Sequence, residues 1–332
     1  MTTSIRTVIT FALLFMHSSG FAATPWQDMP GRERTAVQFE CASLTEGDGA
    51  PTMAAITQAF QVAIESDPRA TLTVDASSDT IRIEADSARA MKAERLFTAM
   101  REAKTPAERV VGEQLYLERR PTRDGTGKEF FGREISQVMG HLGAGWLERP
   151  SREKEERSSR MIDLLAVSDG DDVADIGAGT GYFSFPIAGR TPSGTVFAVD
   201  IQPEMLEFIE SRKRVEKINN VQGRLGDIRD VRLAPESIDL AFAVDAYHEF
   251  SHPWEMLASI RKALRPGGRI ILVEYRLEDP QVPIKPLHKM SEAQVRKELE
   301  AAGFEFIKNE QELPWQHVLI FRKPLVAENA PE

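Results

Sequence analysis

The chain has 332 residues, of which 42% are hydrophobic and 8% aromatic, with 41 Lys and Arg against 51 Asp and Glu. This length suits one large domain with an appendage, or two domains, and the apolar fraction excludes a fibrous or wholly disordered chain. A net charge of -10 argues against a general nucleic-acid binder, and the single cysteine, Cys41, excludes a disulfide framework and a thiolate metal site.

The first 22 residues are predicted to be a secretory signal peptide. A positive end at Arg6, a short apolar run over 8–16 and small residues up to Ala22 follow one another. No apolar run reaches the roughly 20 residues of a spanning helix, so we expect a periplasmic or secreted protein with no stable membrane insertion after cleavage. The alternative is a true start at Met29 or Met53 and a cytoplasmic protein.

The next part of the chain is predicted to be a small module behind a linker. Residues 23–51 are rich in Gly, Pro, Asp and Thr, which indicates an irregular linker. Residues 52–104 predict an α-β-β-α module, because two helical patterns flank alternating stretches at 71–74 and 80–83. The module has no catalytic signature, which favours a packing or interaction role.

Residues 105–150 are predicted to be a helical lid or linker, interrupted by a loop at 121–127. Trp146 is a candidate for the wall of an acceptor pocket, and the alternative is core packing. The mixed charges of 152–157 have helical spacing, which indicates a solvated face of a helix over 152–165.

From residue 151 to residue 325 strand and helix patterns alternate, which is typical of a doubly wound, Rossmann-like α/β fold. The final two strands are joined by only three residues, so they must form an antiparallel hairpin at the edge of a mostly parallel, seven-stranded sheet. Residues 326–332 are a tail. The predicted strands lie near 172–176, 195–200, 221–225, 238–245, 268–275, 304–310 and 315–322, and the helices at 180–189, 203–217, 252–264 and 291–302.

The most specific motif is a glycine loop over 175–181, read Asp-Ile-Gly-Ala-Gly-Thr-Gly, between the first strand and its helix. Asp200 ends the next strand and Asp227 the third, where one carboxylate can accept both hydroxyls of a ribose and the other can meet an adenine edge. A dinucleotide fold would place a third glycine at position 182, which is Tyr182. Taken singly, the alternatives are tight packing for the glycines, a helix cap for Asp200 and a turn for Asp227.

Together these motifs resemble the class I S-adenosylmethionine-dependent methyltransferases over roughly residues 150–325, in the style of the small-molecule enzymes of the ubiquinone/menaquinone type. The segments 198–200, 226–227, 238–245 and 264–269 share in the resemblance. It implies S-adenosylmethionine as cofactor, with the loop holding the methionine end, Asp200 the ribose, and Asp227 with Ile228 the adenine. The cofactor-binding candidates are Asp175, Gly177, Gly179, Gly181, Asp200, Ile201, Asp227, Ile228 and Asp245.

The acceptor is expected at the same edge of the sheet, beyond the fourth and fifth strands. His248 is the preferred general base, because imidazole titrates near neutrality, and Glu249 or Glu274 would orient it. The alternative is that residues 247–249 stabilise the loop. His288 and His317 should reach the same rim, although packing is favoured for both. A His/Glu metal site is conceivable by ligand type, but no compact ligand spacing is present, so no metal is predicted.

The sequence therefore predicts an enzyme that transfers a methyl group from S-adenosylmethionine to a small-molecule acceptor, and no nucleic-acid partner. An alternative from another class is a non-catalytic nucleoside-binding or scaffold protein, whose exported location would deprive the domain of cofactor. A nicotinamide-dependent oxidoreductase is disfavoured by Tyr182.

Overall fold

The computed structural model describes residues 34–45, 51–65, 67, 69–102 and 115–325. The predicted signal peptide and the tail lie outside the described residues. The chain divides into two compact units, residues 1–116 and 117–332. Among the described helices, none combines the length and the apolar character that crossing a membrane requires.

The first unit has the expected α-β-β-α order and one additional strand before it. This strand, at residues 34–40 of the predicted linker, pairs antiparallel with residues 80–86. Its alternation buries Phe39, whose ring stacks on Phe60 at 4.7 Å. The sheet order is β1-β3-β2. The elements are β1 (Arg34–Glu40), α1 (Met53–Ile64), β2 (Thr71–Asp75), β3 (Thr80–Asp86) and α2 (Ser87–Glu102).

The expected helical lid at 105–150 is wrong for most of its described length. A three-stranded sheet occupies residues 116–136, and a 3₁₀ helix (His141–Gly143) and the short helix α3 (Ala144–Leu147) follow it. Phe131 and Gly132 both have positive φ, 51° and 94°, and so close a tight hairpin between β5 and β6. The strands are β4 (Tyr116–Glu118), β5 (Gly125–Phe130) and β6 (Arg133–Ser136).

The charged run at 152–157 is only in part the solvated face that its composition predicts, because Glu153, Lys154 and Arg157 are exposed but Arg152 and Glu156 are buried. It forms α4 (Arg152–Glu156). The helix is interrupted at Arg157, whose φ is 55°, and continues as α5 (Ser158–Leu164). Arg152 and Glu156 are 3% and 2% exposed. Glu156 accepts hydrogen bonds from Arg152 Nε at 2.9 Å and from the Tyr275 hydroxyl at 2.7 Å, and it also pairs with Arg149. One side of this run is therefore a buried ionic network.

The second unit is built on the predicted α/β sheet, and its boundaries agree with the sequence patterns to within a few residues. The largest differences are a later start of the first helix, after the glycine loop, and an earlier start of the fifth strand. The elements are β7 (Val173–Ile176), α6 (Ser184–Ala188), β8 (Val196–Asp200), α7 (Pro203–Glu216), β9 (Val221–Leu225), β10 (Ile238–Val244), α8 (Pro253–Ala263), β11 (Leu264–Tyr275), α9 (Glu292–Ala301), β12 (Glu305–Glu310) and β13 (Gln316–Arg322).

The strand order β12-β13-β11-β10-β7-β8-β9 confirms the doubly wound, Rossmann-like fold. All pairs are parallel except those of β13, which runs antiparallel to β11 and to β12. Chain order reverses between β7 and β10, so a crevice opens outside their carboxyl ends. The strands are buried on both faces, as the consecutive and fully buried residues Leu240, Ala241 and Phe242 illustrate.

Replacing Glu156 by Gln is expected to destabilise the protein by about 3 kcal/mol, because it leaves two arginines without their buried counter-charge. Urea unfolding followed by circular dichroism measures the loss. The matched control is Glu155→Gln, since Glu155 pairs with Arg149 but is 29% exposed. This control should cost under about 1 kcal/mol. Equal losses for the two variants would contradict the buried network.

Candidate active site

A cavity of about 430 Å³ lies in the crevice at the carboxyl ends of the parallel strands. It is of the size that small-molecule sites have. Gly177 after β7, Asp200 at the end of β8 and Asp227 after β9 all line it. The structure therefore brings the three sequence motifs to one hollow.

The glycine loop forms one wall of this cavity with its backbone. Gly177 and Gly179 line it and have φ of 78° and 54°, where side chains are disfavoured. A Cβ at Gly179 would lie 2.6 Å from a methyl of Leu147. Gly181 does not line the cavity, and a Cβ at this position would lie 2.7 Å from the Phe185 ring of α6. Of the three predicted glycines, two could touch a ligand and one shapes the turn.

Asp175 lies behind the loop rather than on the cavity wall. Its side chain is 3% exposed, and its Oδ2 accepts a 2.6 Å hydrogen bond from the Ser184 hydroxyl at the start of α6. Burial raises the pKa of this carboxyl to about 7, although the Ser184 hydroxyl opposes the rise. Asp175 therefore ties β7 to α6 across the loop.

Asp200 faces the cavity and also braces the loop. Its Oδ2 accepts the N–H of Gly179 and its Oδ1 accepts the N–H of Gln202, each at 2.9 Å. Burial raises the pKa of Asp200, and these hydrogen bonds oppose the rise. Ile201 and Ile228, which the sequence assigns to the cofactor, also line the cavity and are 38% and 40% exposed. This part of the cavity wall therefore combines the Asp200 carboxylate with the apolar side chains of Ile201 and Ile228.

Asp245, the last cofactor candidate, lines the cavity at the end of β10 with φ 50°. Its Oδ2 accepts a 3.3 Å hydrogen bond from the Gln316 side chain. Its Oδ1 is buried and has no hydrogen-bond partner among the described residues. Burial, followed by the charges of Glu156 and Glu274, raises the pKa of Asp245. An unused acceptor in a cavity wall suits a ligand that brings a hydrogen-bond donor.

His248 lies on the cavity wall with Glu274 directly behind it. Its Nδ1 is 2.6 Å from Oε2 of Glu274, a carboxylate that is fully buried and does not line the cavity. Burial favours the neutral ring, but the adjacent Glu274 outweighs it, so the pKa of His248 is raised. Glu274 thus orients the ring, as predicted for one of the two glutamates, and directs the other nitrogen, Nε2, towards His288 at 3.1 Å.

The remaining acceptor-side candidates divide between the cavity and other places. Glu249 and His288 line the cavity. Glu249 also accepts the N–H of Met139 at 3.1 Å. His317 was expected at the same rim, but it does not line the cavity, and its Nε2 lies 2.9 Å from Oε2 of Glu278. His288 thus lies on the cavity wall although packing was favoured for it, and His317 lies away from the cavity.

Sequence reasoning missed Arg152 as part of this wall. Arg152 lines the cavity, and its guanidinium lies 4.5 Å from the centre of the Tyr182 ring. The four-residue spacing from Arg152 to Glu156 was visible, but a solvated helix shows the same spacing. Trp146, given two interpretations above, lines the cavity and is 49% exposed. Arg149 covers its ring at 3.8 Å.

Comparison with known proteins shows similarity to methyltransferases. Residues 167–318 match the family model of a methyltransferase domain. Over 130 residues the chain is 31% identical to the ubiquinone/menaquinone biosynthesis C-methyltransferase of Paracoccus denitrificans, which covers 38% of this chain and 50% of that protein. Over 117 residues it is 36% identical to an uncharacterized 37.1 kDa protein in transposon Tn4556 of Streptomyces fradiae, covering 35% of this chain and 33% of that protein.

The chain thus spans half or less of the length of these two relatives. Among solved structures, a SAM-dependent methyltransferase from Aquifex aeolicus superposes with a TM-score of 0.53 at 20% identity, covering 56% of this chain and 100% of that one. At this identity the likeness concerns the fold.

Replacing Asp175 by Asn is expected to change stability in a pH-dependent way. Because the folded-state pKa is raised, the proton on Asp175 stabilises the native protein at low pH, and this contribution is lost as the pH rises towards 7. The stability of the variant relative to wild type should therefore rise by on the order of 2 kcal/mol between pH 5 and pH 8. Urea unfolding at the two pH values measures it, with the exposed Asp163→Asn as control. A difference independent of pH would contradict the assignment.

Proposed function

We propose that the chain transfers a methyl group from S-adenosylmethionine to a small-molecule acceptor, because residues 167–318 match a methyltransferase domain and the chain is similar to a ubiquinone/menaquinone biosynthesis C-methyltransferase. The observation that carries the proposal is the common cavity of Gly177, Asp200 and Asp227. Three motifs that are separate in sequence meet there, as binding of one nucleoside requires.

The residues present suit S-adenosylmethionine. Gly177 and Gly179 leave the loop backbone open to a ligand, and a Cβ at Gly177 would lie 2.9 Å from that of Ala246. Asp200 would hold the ribose hydroxyls, and Asp227 with Ile228 the adenine. The unpartnered Oδ1 of Asp245 suits the ammonium group of the methionine end.

When bound, S-adenosylmethionine supplies a methyl carbon to a lone pair of the acceptor, while the carbon–sulfur bond breaks towards sulfur and leaves S-adenosylhomocysteine. The chain's part is to orient the acceptor, because in-line displacement depends on alignment. We assign to His248 the activation of an acceptor that carries a proton, with Glu274 fixing the ring at 2.6 Å. Glu249 stands beside it on the wall.

A small acceptor is favoured by the site and by the charge of the protein. A cavity of about 430 Å³ must hold the cofactor and the acceptor together. The net charge of -10 opposes a polyanionic acceptor such as nucleic acid. The methylated compound and S-adenosylhomocysteine are the products of this proposal.

Calorimetry with S-adenosylhomocysteine tests the cofactor site. Asp200→Ala should weaken binding by about 1.5–3 kcal/mol, because it removes the ribose contact and the brace on Gly179. The exposed Asp163→Ala, outside the cavity, serves as matched control and should bind as wild type does. Unchanged affinity in Asp200→Ala would remove this residue from the site.

Transfer of a labelled methyl group to compounds of a metabolite extract tests turnover. His248→Gln should lower the rate by about 10²–10⁴-fold and leave S-adenosylhomocysteine affinity close to that of wild type. Tight cofactor binding without transfer to any acceptor would favour the non-catalytic alternative. A wild-type rate in the variant would contradict the role of His248.

We further propose that the mature protein is exported and begins after Ala22, on the pattern of its first 22 residues. The N-terminal residue of protein purified from the producing cell measures this directly. Ala23 is the expected first residue, whereas Met1 would contradict export by cleavage.

A further inference from the structure

We propose that His248, Glu249 and His288 bind a divalent transition-metal ion such as Zn²⁺ at the end of the cavity where the acceptor would lie. Each of the three offers one ligand atom, and these atoms lie within 4.8 Å of one another. All three residues line the cavity. The inference rests on the proposed function in that the acceptor enters the same cavity, and it changes the proposed role of His248 from proton acceptor to metal ligand.

The separations of the three atoms match those of a shared ion. Nε2 of His248 is 3.1 Å from Nδ1 of His288, and each lies 3.8 Å from Oε1 of Glu249. A point about 2.1 Å from all three atoms exists in this triangle, which is the bond length of Zn²⁺ to imidazole and carboxylate ligands. The two rings are at hydrogen-bond distance from each other, whereas Oε1 of Glu249 is too far from either ring for a hydrogen bond and close enough for an ion pair.

The donor set selects the class of metal. Two imidazoles with one carboxylate suit zinc and its transition-metal neighbours, whereas Mg²⁺ and Ca²⁺ prefer oxygen ligands throughout. Three protein ligands leave a coordination position open, as catalytic zinc sites do. The open position faces a cavity that can admit an acceptor.

The supporting contacts hold two of the ligands in place. Glu274, fully buried, sits 2.6 Å from Nδ1 of His248, which leaves the lone pair on Nε2 for a metal. The N–H of Met139 binds Oε2 of Glu249, which leaves Oε1 to face the two rings. A buried carboxylate behind a histidine is the usual support of metal-binding imidazole.

A metal here would define the acceptor class as a compound whose reactive atom is a hydroxyl oxygen or a thiol sulfur. Binding at the open position would let that group lose its proton to solvent at a lower pH than the free compound does, because the cation stabilises the anion. The anion keeps the electron pair that then forms the new bond to carbon, and the metal stays divalent throughout. In this state the Nε2 lone pair is engaged, so His248 activates the acceptor through the metal instead of taking the proton itself.

Titration of the chelator-treated full-length protein with ZnCl₂, followed by calorimetry, tests the site. Wild type should bind one equivalent, and Co²⁺ should give the visible absorption of a site with nitrogen ligands. His248→Gln and His288→Gln should each weaken Zn²⁺ binding by at least about 10-fold, and Glu274→Gln by about 10–100-fold. His317→Gln is the matched control, because His317 is a buried histidine beside a carboxylate outside the cavity.

S-adenosylhomocysteine titrations of the same samples separate this inference from the proposed function and report that each variant is folded. Zn²⁺ binding without S-adenosylhomocysteine binding would leave the metal site standing and overturn the proposed function. The reverse result would overturn the metal site alone. Equal Zn²⁺ affinity in wild type, His248→Gln and His288→Gln would also overturn it.

Discussion

The site depends on stabilising several carboxylates in buried positions. Asp175, Asp200 and Glu274 are buried near the carboxyl ends of parallel strands, and an unpaired charge there costs several kcal/mol. Each therefore has a donor: a hydroxyl for Asp175, two backbone N–H groups for Asp200 and an imidazole for Glu274. These pairings fix the loop and the ring that a ligand meets, so the chemistry of the wall follows from the need to satisfy buried charge.

Asp245 is the exception, because its buried Oδ1 has no hydrogen-bond partner among the described residues. It has one long hydrogen bond from Gln316, and the charges of Glu156 and Glu274 oppose its ionisation. Arg152 lies 3.9 Å away, but Glu156 holds its guanidinium more closely. The positive charge of Arg152 is thus paired mainly with Glu156. Asp245 therefore remains available to pair with a positively charged ligand.

How far the sequence predicts the structure depends on the range of the interaction. The sheet of the second unit was predictable, because its strands are short apolar runs between glycines, prolines and helical patterns. β1 was not recognised, because it lies in a stretch whose composition indicates a linker. The turn at Phe131 and Gly132 was not recognised either, because Phe131 has a positive φ that Gly, Asn or Asp usually adopt. The glycine loop is a local motif and was found, with its binding role still a prediction. The approach of His288 to His248, across 40 residues, has no spacing that a sequence could show.

The position of β13 has a consequence for how the domain is made. This strand lies between β11 and β12 and carries hydrogen-bond ladders on both sides. On a ribosome, β11 would be synthesised about 40 residues before the neighbour it needs, and would wait with an unpaired edge. Completion of the sheet is therefore a late event in biosynthesis. A nascent chain that stalled before residue 316 would expose the apolar edge of β11 to chaperones or to aggregation with neighbouring chains.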